Sequence, residues 1–139
     1  MEITANAIQT VASNANVLFT DTVVCGNCAI THRDGSGLVT LRGLTNQCRA
    51  RFRVSFGGNI AIPTGGTVGP ISLAIAIDGE AVATTTMIST PAAVEEYQNV
   101  FSAIFLDIPR GCCNSISVRN ISDIPVNVQN ANLIVERVA

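Results

Sequence analysis

Residues Ile71–Thr86 read ISLAIAIDGEAVATTT, a run in which large apolar residues alternate with small ones, followed by Asp-Gly and a second short run. Asp78 and Gly79 supply the two positive-φ positions that a two-residue type I′ hairpin requires. Such a turn sets Ile77 opposite Glu80, Ile75 opposite Val82 and Leu73 opposite Thr84. Ile71, Leu73, Ile75 and Ile77 then share one face, and Ser72, Ala74 and Ala76 the other, because side chains alternate along a strand. The second face is small and nearly flat, and is expected to suit close approach of another sheet or subunit.

Outward from this hairpin the same period of two recurs, bounded by Gly, Pro, Asn and Asp, with almost no helical period. Strands are expected at Ile8–Ala12, Val17–Thr22, Leu38–Arg42, Arg49–Phe56, Ile71–Ile77, Ala81–Ile88, Gln98–Ile108, Ser115–Arg119 and Val126–Val138. Short, evenly spaced strands of this kind make a sandwich or jelly roll. Gly58–Pro70, dense in Gly and Pro, is expected to be an ordered loop. Thr90 as N-cap and Pro91 at the first helical position predict at most a turn or two of helix within Ser89–Tyr97.

With 139 residues the chain is expected to be one domain, residues 1–139, able to bury roughly 68% of its unfolded surface. Only 13% of the residues are charged and the net charge is −2, so neither a highly charged partner nor an acidic tail is expected. All eight basic residues are Arg, the side chain better suited to planar pairing at partly dry contacts. The longest apolar runs, LAIAI and AIFL, fall far short of the roughly 20 residues of a membrane-spanning helix. The opening MEITANAIQT lacks a basic n-region and an apolar h-region. We therefore expect no membrane partner, and synthesis in the cytoplasm without Sec export.

Five cysteines and one histidine invite a test for chemistry. Cys25-x-x-Cys28 has dithiol spacing, but no helix follows to lower the thiol pKa, and no βαβ unit surrounds it. A zinc site from Cys25, Cys28 and His32 with Cys112 or Cys113 is a less favoured alternative, because adjacent cysteines fit one tetrahedral ion poorly. The preferred reading makes Cys25, Cys28, Cys48, Cys112 and Cys113 buried small hydrophobes or disulfide partners, with the adjacent pair bridging to a neighbouring strand, loop or chain. An odd count leaves one thiol free, or paired with another chain. His32, with Asp34 and Ser36 in HRDGSG, has no nucleophile scaffold around it. Glu95 and Glu96 are adjacent and diverge in an extended chain. Asn120-Ile121-Ser122 matches a glycosylation sequon of little weight without a secretory signal. We expect no catalytic residue, no metal, no cofactor and no enzyme.

Two strands carry the expectation of self-association. In Gln98–Ile108, Val100, Ile104, Leu106 and Ile108 lie on one face and Phe101, Ala103 and Phe105 on the other, so both faces call for burial. A strand apolar on both sides is covered by a second layer or by another subunit. In CRARFRVSF, Arg49, Arg51 and Arg53 share a face, opposite Ala50, Phe52 and Val54. A nucleic-acid reader would need a positive domain and stacking aromatics; this chain has net charge −2 and a single Tyr, so no nucleic acid is expected. The arginines are expected to pair with Asp107, Glu95 or Glu96. Phe101, Ala103, Phe105, Arg49, Arg51 and Arg53 form the expected subunit interface.

The segments AIQTVASNANVLFTDT, GLVTLRG, CRARFRVSFGGNIAIP and NVQNANLIVERVA together resemble the TNF/C1q-like jelly-roll modules of bacteria and phages, including the C-terminal domain of collagen-like spore-surface glycoproteins. The resemblance implies an all-β, two-sheet antiparallel jelly roll that trimerises through apolar strand faces and has no catalysis. The cysteines, and the lack of a Gly-X-Y stalk before the module, depart from that pattern. A stand-alone module of this kind is also similar to phage decoration or fibre-head proteins and to disulfide-linked subunits of spore appendages. The implied role is a structural or display module on the exterior of a virion or spore, with itself and a capsid or spore-surface protein as partners. The alternatives are a glycan- or receptor-binding head and a disulfide-linked appendage subunit.

Overall fold

The Asp-Gly hairpin is present in the computed structural model, which describes residues 1–139. Asp78 and Gly79 both take positive φ, 52° and 84°. Twelve strands form: β1 (Glu2–Ala5), β2 (Gln9–Val11), β3 (Asp21–Val24), β4 (Ile30–His32), β5 (Val39–Arg42), β6 (Arg49–Ala61), β7 (Ile71–Ile77), β8 (Glu80–Ala81), β9 (Met87–Ser89), β10 (Gln98–Pro109), β11 (Cys113–Asn120) and β12 (Val126–Arg137). The first sheet has the order β10-β6-β12-β1-β3, with β2 also on β12; the second is β4-β5-β11-β7-β8, with β9 also on β7. Paired strands run antiparallel. No helix is long and apolar enough to cross a membrane.

The inward residues of the two sheets make one core. Phe52, Val54 and Phe56 of β6 and Leu133 and Val135 of β12 face Leu73 and Ile75 of β7 and Ile116 and Val118 of β11, all buried. Phe19 meets Phe56 edge to face, with ring centroids 6.3 Å apart, the arrangement that ring quadrupoles favour.

Several sequence expectations are corrected. The second arm of the hairpin pairs only over Glu80–Ala81. After Val82 donates to the Ile75 carbonyl, the chain lifts through a 3-10 turn at Ala83–Thr85 and rejoins as β9, so that Leu73 faces Met87 instead of Thr84. Thr85 bridges the gap, its hydroxyl accepting from the Ile75 amide at 2.9 Å. Val17–Thr20 is not strand, because this segment crosses between layers: Asn16 bridges to Arg119 in the second sheet, while Asp21–Val24 pairs with β1 in the first. The expected helix at Thr90–Tyr97 does not form; Glu95 takes a left-handed φ of 58° and its amide donates to the Ile62 carbonyl. β1 and β4 were not expected from the sequence; each is short and offers only two or three alternating positions.

The flat Ser72–Ala74–Ala76 face also differs from expectation. Ala74, Ala76 and the neighbouring Ser117 are buried within the chain itself. Arg119, the register partner of Ala74, donates from Nη1 to the Gly79 carbonyl at 2.6 Å, so its aliphatic stem runs along this face.

Candidate functional site

β10 is an edge strand, held along its length by β6 from Gln98↔Ile60 to Pro109↔Arg49. Its inward residues Val100 and Ile108 are buried, while Ile104 and Leu106 are only partly covered, packed against the margin of the core. Its outward residues are not covered: Phe101 is 64% exposed and Phe105 63%. The core covers one flank of this strand at Val100 and Ile108 and in part at Ile104 and Leu106, and leaves the other flank to solvent.

The register of β10, β6 and β12 divides the outer face into three zones. In the middle, Phe101 lies opposite Gly57 and Ala103 opposite Ser55, with Ile134 of β12 on the other side of Ser55. The Phe101 ring lies over the missing side chain of Gly57, with Cδ2 3.6 Å from the position a Cβ would take. Gly57 and Ser55 keep the floor low between flanking hydrophobic walls, and Ile134 is itself 40% exposed.

Toward one end the face becomes ionic. Arg51 grips Asp107 with two guanidinium nitrogens, Nε donating to Oδ1 at 2.8 Å and Nη2 to Oδ2 at 3.2 Å. Arg49 approaches the same carboxylate at 3.1 Å, and Arg53 lies 3.8 Å from Glu136. The hydrogen bond from Arg51, reinforced by the charges of Arg51 and Arg49, holds the Asp107 carboxyl below its ordinary range. Asp107 is one of the three partners expected from the sequence. Glu136 was not expected, and Glu95 lies elsewhere, accepting from the Thr64 hydroxyl.

Toward the other end the face is a chain of amides that the sequence reading missed. Asn99 donates to Asn59 at 3.1 Å, Asn59 to Asn130 at 3.2 Å, and Asn130 to Asn6. Asn130 has a φ of 55° and sits where the β12 register against β6 shifts; this one-residue bulge aims its side chain along the row. Scattered asparagines look like turn residues in sequence, and only sheet register brings these four into line.

The residues singled out for chemistry are not assembled into a reactive site. His32 has a fully buried side chain, its Nε2 2.9 Å from the Ser36 carbonyl and its ring edge-on to Phe19. Ser36 Oγ instead accepts from the Leu38 amide, and His32 Nδ1 has no hydrogen-bond partner, lying 3.8 Å from Asp34 Oδ1. No three His, Cys, Asp or Glu side chains are grouped to hold an ion, although His32, Cys25 and Asp34 line one open cleft. All five cysteines are exposed, which corrects the reading of buried small hydrophobes, and none is bonded to another within the chain. The sequon asparagine is a structural knot: Asn120 is fully buried, its Nδ2 donating to the carbonyls of Val11 at 3.0 Å and Ile124 at 3.0 Å, its Oδ1 accepting from the Ser122 amide.

No protein-family model matches the sequence, and no curated protein matches it. Among solved structures, the fold is similar to the globular domain of zebrafish complement 1qA protein, with a TM-score of 0.70 and 11% identity over 99% of this chain and 95% of that one. A family 35 carbohydrate-binding module from Cellvibrio japonicus aligns with a TM-score of 0.44 and 11% identity over 100% of this chain and 98% of that one. Two antiparallel sheets in this order, matched end to end by the complement domain, give the chain the TNF/C1q-like jelly-roll fold.

Proposed function

We propose that the protein is a non-enzymatic display module that assembles with copies of itself, as a trimer, through the outer face of β10, β6 and β12. The observation that carries this reading is the pair Phe101 and Phe105, 64% and 63% exposed on the same face of a long edge strand with Ala103 between them. Large rings left in water along an unprotected edge invite pairing with another chain. The zones of the face support a defined register: apolar at the centre, Arg–carboxylate pairs at one end, amides at the other. Burying the rings supplies affinity, and the polar ends penalise mismatched docking.

The threefold arrangement and a place on the exterior of a virion or spore follow from the family resemblance of the sequence, as do a capsid or spore-surface partner and assembly after synthesis in the cytoplasm. The reading as a glycan-binding head wants exposed aromatic platforms in the loops. Tyr97 is half-buried, and the two exposed rings lie on the sheet face instead, so we favour assembly.

Native mass spectrometry of the full chain in reductant tests the proposal. A trimer at micromolar concentration is the expected result; a monomer throughout that range overturns it.

A further inference from the structure

All five cysteines lie in or beside three connections: Cys25 and Cys28 between β3 and β4, Cys48 just before β6, and Cys112 in the turn from β10 to β11 with Cys113 the first residue of β11. These connections meet at one end of the sandwich. The Arg42 amide donates to the Ala29 carbonyl at 2.8 Å, beside Cys28, while Arg42 is also the register partner of Cys113. The Gly43 amide donates to the Cys112 carbonyl at 2.8 Å, and the Arg110 amide to the Cys48 carbonyl at 2.9 Å. Gly43 is what lets these loops nest: a Cβ there would stand 2.2 Å from the Pro109 carbonyl oxygen. One pole therefore carries every thiol of the molecule, each exposed and free.

Covalent geometry limits how these thiols can pair at home. Cys112 and Cys113 are joined by a trans peptide, which fixes their Cα atoms about 3.8 Å apart, below the roughly 4.4 Å that an unstrained disulfide needs. Ala29, next to Cys28, and Cys113 flank Arg42 of β5 on opposite sides, about two strand spacings or roughly 9.6 Å apart, beyond the roughly 7 Å that a disulfide spans. Five is also an odd number, so no pairing within one chain satisfies all of them. No ion site gathers them either.

We infer that this pole is a covalent docking surface for a second copy of the same chain, joined through the Cys112–Cys113 turn. Adjacent thiols on one turn are self-complementary under a two-fold axis, since Cys112 of one copy meets Cys113 of the other and the reverse. Each bond forms by thiol–disulfide exchange with a small-molecule disulfide such as oxidised glutathione. Two protein thiols become one interchain S–S bond, and the oxidant's S–S bond is reduced to two glutathione thiols, which take up the two protons. The pole is at the end of the sandwich and the apolar face is on its side, so this inference does not rest on the trimer reading.

The test uses the full chain, reduced and then equilibrated with a mixture of reduced and oxidised glutathione. Products are read by denaturing gel without reductant, intact mass and peptide mapping. The expected result is a covalent dimer whose mapped bonds join Cys112 or Cys113 of different copies. Cys112→Ser/Cys113→Ser should lower its yield at least tenfold, while Cys25→Ser/Cys28→Ser should leave it within twofold. Alkylating the folded, reduced wild type before oxidation should block the dimer without any substitution. The inference is overturned by a chain that stays monomeric on the gel, by a dimer bridged only through other cysteines, or by one that survives reductant and dissociates with a chelator. Native mass spectrometry in reductant reports the sheet-face assembly separately, and the serine variants should leave it unchanged.

Discussion

Replacing Phe101 and Phe105 together by Thr should dissolve the proposed assembly while leaving the subunit folded. At about 200 Å² per Phe side chain, exposures of 64% and 63% leave about 250 Å² per subunit for a partner to cover, worth about 6 kcal/mol at ~25 cal/mol per Å² before the costs of association. Each ring then contributes about 3 kcal/mol, so either single variant should weaken association by about 100-fold. The double variant should be monomeric wherever the wild type is a trimer. Thr keeps the β preference of the strand, and both sites face solvent in the isolated subunit, so intrinsic stability should change by no more than about 0.5 kcal/mol. Sedimentation velocity across a concentration series in reductant gives the association constant, and a urea melt of the dilute monomer gives the stability. The reasoning fails if the double variant associates as tightly as the wild type, or if it loses several kcal/mol of monomer stability, since the rings would then be serving the fold.

Three further outcomes follow from the structure. Asn120→Ala should cost about 3 kcal/mol or more and lower Tm by about 10 °C, because it strands the buried carbonyls of Val11 and Ile124 without a donor; a calorimetric shift under 2 or 3 °C would rule out the knot. Gly79 has a φ of 84° with nothing within 4 Å of a built Cβ, so Gly79→Ala should cost about 1–2 kcal/mol of backbone strain alone and Gly79→Asn distinctly less; equal urea midpoints for the two variants would contradict this. Asp107 is held below its ordinary value of 3.8, chiefly by the hydrogen bond from Arg51, and Asp78 is held below the same value, chiefly by the Ser115 amide. Their contribution is complete above that value and disappears as the pH falls through the lower folded value. Stability should therefore decline with acid below about pH 4, more shallowly in Asp107→Asn and Asp78→Asn, and variants as acid-sensitive as the wild type would count against these contacts.

How far the sequence carries can be judged residue by residue. β7 is read to the residue because Ile71–Ile77 alternates large with small and ends on Asp-Gly, signals lying within ten residues of each other. The alternation of CRARFRVSF put Arg49, Arg51 and Arg53 on one face and offered Asp107, Glu95 or Glu96 as partners; only the β6–β10 register selects Asp107. The four asparagines at 6, 59, 99 and 130 were not anticipated, since no local pattern distinguishes an amide in a row from an amide in a turn. The cysteines were misjudged for a related reason: their usual preference for burial is a tendency of the residue type, overruled here by their place in loops at one pole.

What the sequence by itself determined is local. Period-two patterning, turn chemistry and sparse charge sufficed for an all-β sandwich, for the hairpin and for a strand apolar on both sides. Only the tertiary structure decided which of those apolar flanks its own second sheet covers, that the Ala74–Ala76 face is closed by Arg119's neighbourhood and not by a partner, and that five separated cysteines share one end. The physical reason is that strand identity depends on neighbours along the chain, whereas exposure and clustering depend on sheet order and register. Those are set by pairings between residues as far apart as Glu2 and Ile134.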